Sequence, residues 1–195
     1  MDDIIKEIED YAKKEDVPIM QKRGINFLCN VIKKNNVKNI LEIGSAIGYS
    51  AIKMSLVSDD INITTIERDE SRYLEAVKNI KKCKKEKQIT IILGDALDTK
   101  IDGKYDLIFI DAAKGQYIKF FEKYSKNLSK NGIIISDNMS FHGLVEETER
   151  IRNKNLRQLV NKIRKYIEFL KENKEFDTKF YKTGDGIAIS VKRED

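Results

Sequence analysis

The chain has 195 residues, 41% hydrophobic and 35% charged, with one proline, ten glycines and a formal net charge of +5. That composition supports one substantial core, so it predicts a single domain over residues 1–195 and argues against disordered or low-complexity sequence. No apolar run is long enough to span a bilayer, and Cys29 and Cys83 match no zinc or redox spacing.

The acidic, amphipathic opening MDDIIKEIED is unlike a secretory signal, so a cytoplasmic protein without a membrane partner is expected. Two helical stretches follow one another up to Lys34, broken at Val17-Pro18 because proline disfavours helix in the residue before it. They predict a helical cap over residues 1–36, covering the site or a subunit interface. Short apolar runs then recur: NILEIG at 39–44, ITTIE at 63–67, ITIIL at 89–93, YDLIFID at 105–111 and GIIIS at 132–136. Such continuous hydrophobicity means burial on both faces, and helical patterns such as SRYLEAVKNIKK lie between the runs. A long helix is expected from about Glu146 to Glu172, followed by two alternating runs around Gly184-Asp185-Gly186, an antiparallel hairpin. The predicted fold is doubly wound, Rossmann-like α/β, with a mainly parallel seven-stranded sheet.

Ligands of such sheets bind outside the carboxyl ends of the strands. The first strand ends in Glu42-Ile43-Gly44-Ser45-Ala46-Ile47-Gly48-Tyr49-Ser50, where two glycines let backbone approach a ligand or simply make a tight turn. The second ends in Glu67, an acid placed to accept from ribose hydroxyls, or one of several first-turn residues with Asp69 and Ser71. The third ends in Gly94-Asp95-Ala96, where a carboxylate and a backbone N–H suit an adenine edge. The glycine spacing is G-x-x-x-G rather than the G-x-G-x-x-G that seats a pyrophosphate, which favours S-adenosylmethionine over a nicotinamide cofactor.

The fourth strand runs into Asp111 and the fifth into Asp137-Asn138. Two carboxylates and an amide oxygen at adjacent strand ends suit a hard cation, Mg2+ or Mn2+ or Ca2+ in its place, while Asp-Asn is also an ordinary turn pair. Lys114 follows Asp111 by three residues, so a helix starting there would bring its amine to the same place. A neighbouring dication and partial burial would then favour the neutral amine, a base for an acceptor hydroxyl. His142 reads as a loop histidine outside the ligand set.

At these residues the chain resembles the cation-dependent class I O-methyltransferases, the family of catechol and caffeoyl-CoA O-methyltransferases. LEIGSAIGYSAI, TIERDE, GDA, FIDAAKGQY and SDN follow the family's cofactor and metal motifs in order over nearly the whole chain. The resemblance implies Asp111, Asp137 and Asn138 as metal ligands and Lys114 as the base. It places Glu67 at the ribose, Asp95 and Ala96 at the adenine, and Glu42, Gly44 and Ser50 near the methionine part. It also implies a homodimer. A narrower resemblance, carried by VPIM at 17–20, IDAAKGQY, GLV at 143–145 and GDGIAIS at 184–190, is to bacterial tRNA 5-hydroxyuridine methyltransferases. It implies Met20 beside the cofactor and a tRNA anticodon loop as partner, with a small phenolic acceptor as the alternative. The basic run Arg150, Arg152, Lys154, Arg157, Lys162, Arg164 and Lys165 would meet RNA phosphates, or form a solvated helix face. A binding module that keeps the fold without turnover is disfavoured by the complete set Asp111, Lys114, Asp137 and Asn138.

Overall fold

The computed structural model describes residues 1–146 and 151–193. Helices α1 (Asp2–Lys14) and α2 (Lys22–Lys34) precede strand β1 (Asn39–Ile43). There follow α3 (Tyr49–Ser55), β2 (Asn62–Glu67), α4 (Glu70–Lys82), β3 (Ile89–Leu93) and β4 (Tyr105–Ile110). A 3-10 turn (Lys114–Gln116), α5 (Tyr117–Tyr124), β5 (Leu128–Ser136), α6 (Lys154–Glu172), β6 (Phe176–Tyr181) and β7 (Ile187–Lys192) complete the chain. The seven strands form one sheet in the order β3-β2-β1-β4-β5-β7-β6. Pairing is parallel from β3 to β5, and β7 is antiparallel to both β5 and β6. All five apolar runs are strands, and the Gly-Asp-Gly turn makes the expected hairpin.

Side chains alternate across a strand, so each central strand feeds two cores. Ile40, Ile63, Leu107, Phe109, Ile133 and Ile135 join the cluster that packs under α1 to α4. Leu41, Ile43, Ile66, Ile108, Ile110 and Ile134 face α5 and α6. Burial on both faces explains why these strands read as unbroken apolar runs. Helices α1 and α2 bury Ile5, Ile8, Ala12, Ile25, Leu28 and Ile32 in the first cluster. Tyr49 Oη donates to Glu9, fastening α1 to α3 at 2.9 Å.

One expected boundary moves. The last helix begins at Lys154 rather than near Glu146, because the Asn153 side chain caps it by accepting the Leu156 N–H at 3.0 Å. Glu146 belongs instead to a turn in which its N–H donates to the Gly143 carbonyl. Residues 147–150, and with them Arg150 of the basic run, lie outside the described residues.

Phe121 of α5 is the aromatic centre of the second core. It makes edge contacts with Tyr166, Phe169 and Phe176, at ring centroid distances of 6.4, 5.5 and 5.0 Å. Phe121→Ala is expected to cost about 3–5 kcal/mol, the usual price of a buried phenylalanine. Urea unfolding measures this, and a loss below about 1 kcal/mol, that of an ordinary exposed site, would contradict the packing described.

Candidate active site

The parallel register sets the strand ends level. Ile43 pairs with Ile66 on one side and Ile110 on the other, and Ile110 pairs with Ser136. The ladder runs one residue further: Asp111 N–H donates to Ile43 O at 3.0 Å and Asp137 N–H to Ile110 O at 3.2 Å. Gly44, Asp111 and Asp137 therefore leave three adjacent strands side by side. Gly44 has φ +98°, and a Cβ there would sit 2.5 Å from the Asp111 carbonyl oxygen. Only glycine lets these two loops approach so closely.

A cavity of about 360 Å³ opens over these ends. Gly44, Ser50, Glu67, Asp95, Ala96 and Met20 all line it, as expected from the sequence. The Glu67 carboxylate is fixed by three backbone donors: Ala46 N–H on Oε2, and Arg68 and Asp69 N–H on Oε1. Asp69 separately caps α4 through Arg72 N–H, so the two acids have different roles. Asp95 Oδ1 accepts from Leu97 N–H, and the Ala96 carbonyl is held by Tyr124 Oη and Lys123 Nζ. An acid held rigidly at one strand end and an Asp-Ala pair at the next present donors and acceptors that fit the ribose and adenine of an adenosine.

Glu42 is placed differently. It is fully buried and lies beneath the cavity, not in its lining. Strand alternation turns it toward α3, where Ser50 Oγ donates to one oxygen. The β1–β2 register pairs it with Thr65, whose hydroxyl donates to the other. Burial pushes its carboxyl up to about 7, with the two hydroxyls opposing the rise. Its reach to a cofactor is thus through Ser50. Helices α1 and α2 are core elements, and the connection between them brings Pro18, Ile19 and Met20 to the cavity.

At the other end of the cavity stand Asp111, Asp137, Asn138 and Lys114. Lys114 Nζ is 3.6 Å from Asp111 Oδ1, their side chains 21% and 20% exposed. Desolvation raises the Asp111 carboxyl above the usual range, and Lys114 opposes it. Desolvation raises Asp137 too, with repulsion from Asp111 adding to it. Asp137 Oδ1 is buried without a hydrogen-bond partner among the described residues. Ionising a buried carboxyl whose oxygen has no partner is costly, and a hard cation beside it offsets that cost, with Asp111 and the Asn138 amide oxygen as further ligands. The residues present thus fit the cation inferred from the sequence.

Sequence reading missed Asp185. It lies in the β6–β7 turn, is 5% exposed and lines the cavity. Phe141 and His142 line it as well, and both have positive φ. The Gly184-Asp185-Gly186 signal for a tight turn was visible, but nothing local in it indicates a partner 47 residues upstream.

The buried acids give the folded chain a pH dependence. The Asp137 carboxyl rises from 3.8 to about 8 on folding, so the native state holds the proton more tightly. Stability of the metal-free protein then falls as pH rises through that window. In chelator at pH 8, Asp137→Asn should melt higher than wild type, at about 2–4 °C per kcal/mol recovered, and the two should converge near pH 4. Thermal unfolding checks this, and a variant that melts lower at pH 8 would contradict it.

A sequence model of the O-methyltransferase family matches residues 1–193. The caffeoyl-CoA O-methyltransferase of Stellaria longipes is 28% identical over 174 residues, covering 85% of this chain and 71% of the relative. A Staphylococcus aureus structure described as a candidate caffeoyl-CoA O-methyltransferase is 42% identical. It matches with TM-score 0.93 over 97% of this chain and 92% of its own. The Podospora anserina methyltransferase PaMTH1, solved with S-adenosylhomocysteine bound, is 25% identical, with TM-score 0.89 over 98% and 88% of the two chains. The strand order, the cofactor-sized cavity and these matches agree: the chain belongs to the O-methyltransferase family and is an S-adenosylmethionine-dependent enzyme.

Proposed function

We propose that this enzyme methylates a hydroxyl of an acceptor whose two adjacent oxygens bind a divalent cation, Mg2+ or in its place Mn2+ or Ca2+, held by Asp111, Asp137 and Asn138. The observation that carries the reading is Asp137 Oδ1, buried near Asp111 in the cavity lining and without a partner among the described residues. When bound, such a cation supplies Lewis acidity that favours ionisation of the acceptor hydroxyl and fixes its orientation. Glu67 holds the ribose, Asp95 and Ala96 the adenine, and Gly44 and Ser50 the methionine part of the donor. Met20 covers the donor from the α1–α2 connection. Lys114 takes the acceptor proton at Nζ. Methyl transfer is then chiefly a matter of positioning, with the acceptor oxygen forming its bond to the methyl carbon as the sulfur bond breaks.

For the acceptor, the reading is 5-hydroxyuridine at the tRNA wobble position, giving 5-methoxyuridine. Its O5 and O4 are adjacent oxygens, as a catechol's are. The chain's likeness to tRNA 5-hydroxyuridine methyltransferases supports this, as does the basic surface of α6. Lys162 lies against Gly115 beside Lys114, its Nζ 3.2 Å from where a Gly115 Cβ would stand, while Lys154, Arg157 and Lys165 are exposed. Phosphates would be neutralised along that face. A small catechol-like phenol is the second reading, favoured by the similarity to the Stellaria longipes caffeoyl-CoA enzyme. A homodimer in the cytoplasm remains part of the proposal; among the described residues no helix is long and apolar enough to cross a membrane.

Labelled S-adenosylmethionine offered in parallel to hydroxyuridine-containing tRNA and to a simple catechol, with and without chelator, separates the two. Transfer to tRNA, lost on chelation, is expected; transfer to the catechol alone would remove the RNA acceptor. Asp137→Ala should lower turnover at least about 100-fold, a loss of several kcal/mol in transition-state stabilisation, while S-adenosylhomocysteine still binds. Undiminished turnover would defeat the cation role.

A further inference from the structure

Asn138 is a ligand with two chemically different ends, an amide oxygen that binds a cation and an NH2 group that repels one. Something must choose between them. Asn138 Nδ2 donates to Asp185 Oδ2 at 3.3 Å, and Asp185 is almost fully buried in the cavity wall. A carboxylate only accepts, so it takes the NH2 end and leaves the oxygen for the centre formed with Asp111 and Asp137.

Asp185 is itself tightly placed. Its Oδ1 accepts the His142 N–H, its carbonyl accepts the Ser140 N–H, and the Gly186 carbonyl accepts the Met139 N–H. Gly186 has φ +84°, and a Cβ there would meet Ser140 N at 2.6 Å. On its other side Gly184 lies against Gly24 of α2, its own added Cβ 3.0 Å from the Gly24 Cα. The hairpin turn is thus wedged between α2 and the segment after β5. Among the described residues, no three His, Cys, Asp or Glu side chains gather closely enough to hold a metal. Asp185 therefore stands behind the ligand set and is not a third carboxylate within it.

We propose that Asp185 is a positioning residue whose carboxylate fixes the amide orientation of Asn138 and so determines cation affinity. The inference rests on the cation reading above. Partners of this kind, behind the ligands, typically change metal affinity by roughly 10–100-fold when removed.

The test uses the full chain with Mn2+ alone as probe, its free concentration read by electron paramagnetic resonance, and S-adenosylhomocysteine affinity measured alongside by calorimetry. Asp185→Asn keeps the side-chain shape and the acceptor for His142 N–H but sets an NH2 group against the Asn138 NH2. Asn138 then turns its oxygen toward position 185, and Mn2+ affinity should fall roughly 10–100-fold with S-adenosylhomocysteine affinity unchanged. In the double variant Asp185→Asn/Asn138→Asp, the new amide at 185 donates to the new carboxylate at 138, whose other oxygen faces the cation. Mn2+ affinity should then recover to at least tenfold above the single variant, about 1.4 kcal/mol. Asn138→Asp alone adds the same charge but leaves carboxylate against carboxylate, so the double variant should also bind Mn2+ more tightly than that control; a general structural role would make the double variant no better than Asn138→Asp. Wild-type Mn2+ affinity in Asp185→Asn, or no recovery in the double variant, overturns the assignment. A wild-type chain that binds no Mn2+ overturns the cation reading itself and this inference with it.

Discussion

Two backbone hydrogen bonds, from Asp111 N–H to Ile43 O and from Asp137 N–H to Ile110 O, carry the sheet ladder one residue past its last paired positions. Because β1, β4 and β5 are neighbours in parallel register, that extra residue falls at the same height on each strand. On β1 it must be Gly44, since the Asp111 carbonyl occupies the space a side chain would need. On β4 and β5 it is an acid. The site is therefore fixed by main-chain geometry, and the loops beyond it, with Lys114, Asn138 and Phe141, extend from anchored points.

This geometry concentrates negative charge where water is scarce, and the chain treats its buried acids in different ways. Glu42 receives a hydroxyl on each oxygen, Glu67 three backbone N–H groups, and Asp185 the His142 backbone N–H besides the Asn138 amide. Asp111 has Lys114. Asp137 Oδ1 alone among the described acids is buried and unpartnered. Stabilisation for that local cost comes from the two apolar clusters on either face of the sheet, far larger than the site they support. Such an imbalance, an uncompensated acid held by a strong scaffold, is common where a protein binds a charged ligand or performs chemistry.

The features legible in the sequence were those encoded locally. Unbroken isoleucine-rich runs named the strands because burial on both faces leaves no polar side, and the acids at or just after those runs, Glu67, Asp95, Asp111 and Asp137, all line the cavity. What escaped depended on contacts distant in sequence. Asp185 acquires its role only when β7 lies antiparallel to β5 and brings the turn onto residues 138–142. Glu42 looked like a cofactor contact, yet alternation along β1 turns it inward to Ser50 and Thr65. The charged stretch after Val145 has helical composition, which extends the expected helix back to Glu146, whereas the Asn153 side chain caps α6 and sets its start at Lys154.

Everything else depends on one cation shared by Asp111 at the end of β4 and Asp137-Asn138 at the end of β5, beside the methyl donor. Crystals grown with Mn2+ and S-adenosylhomocysteine, measured at the manganese absorption edge, test it most directly. One anomalous peak is expected, in common reach of Asp111, Asp137 and the Asn138 amide oxygen. A cofactor-bound crystal with its manganese elsewhere, or with no peak in the cavity, would contradict it.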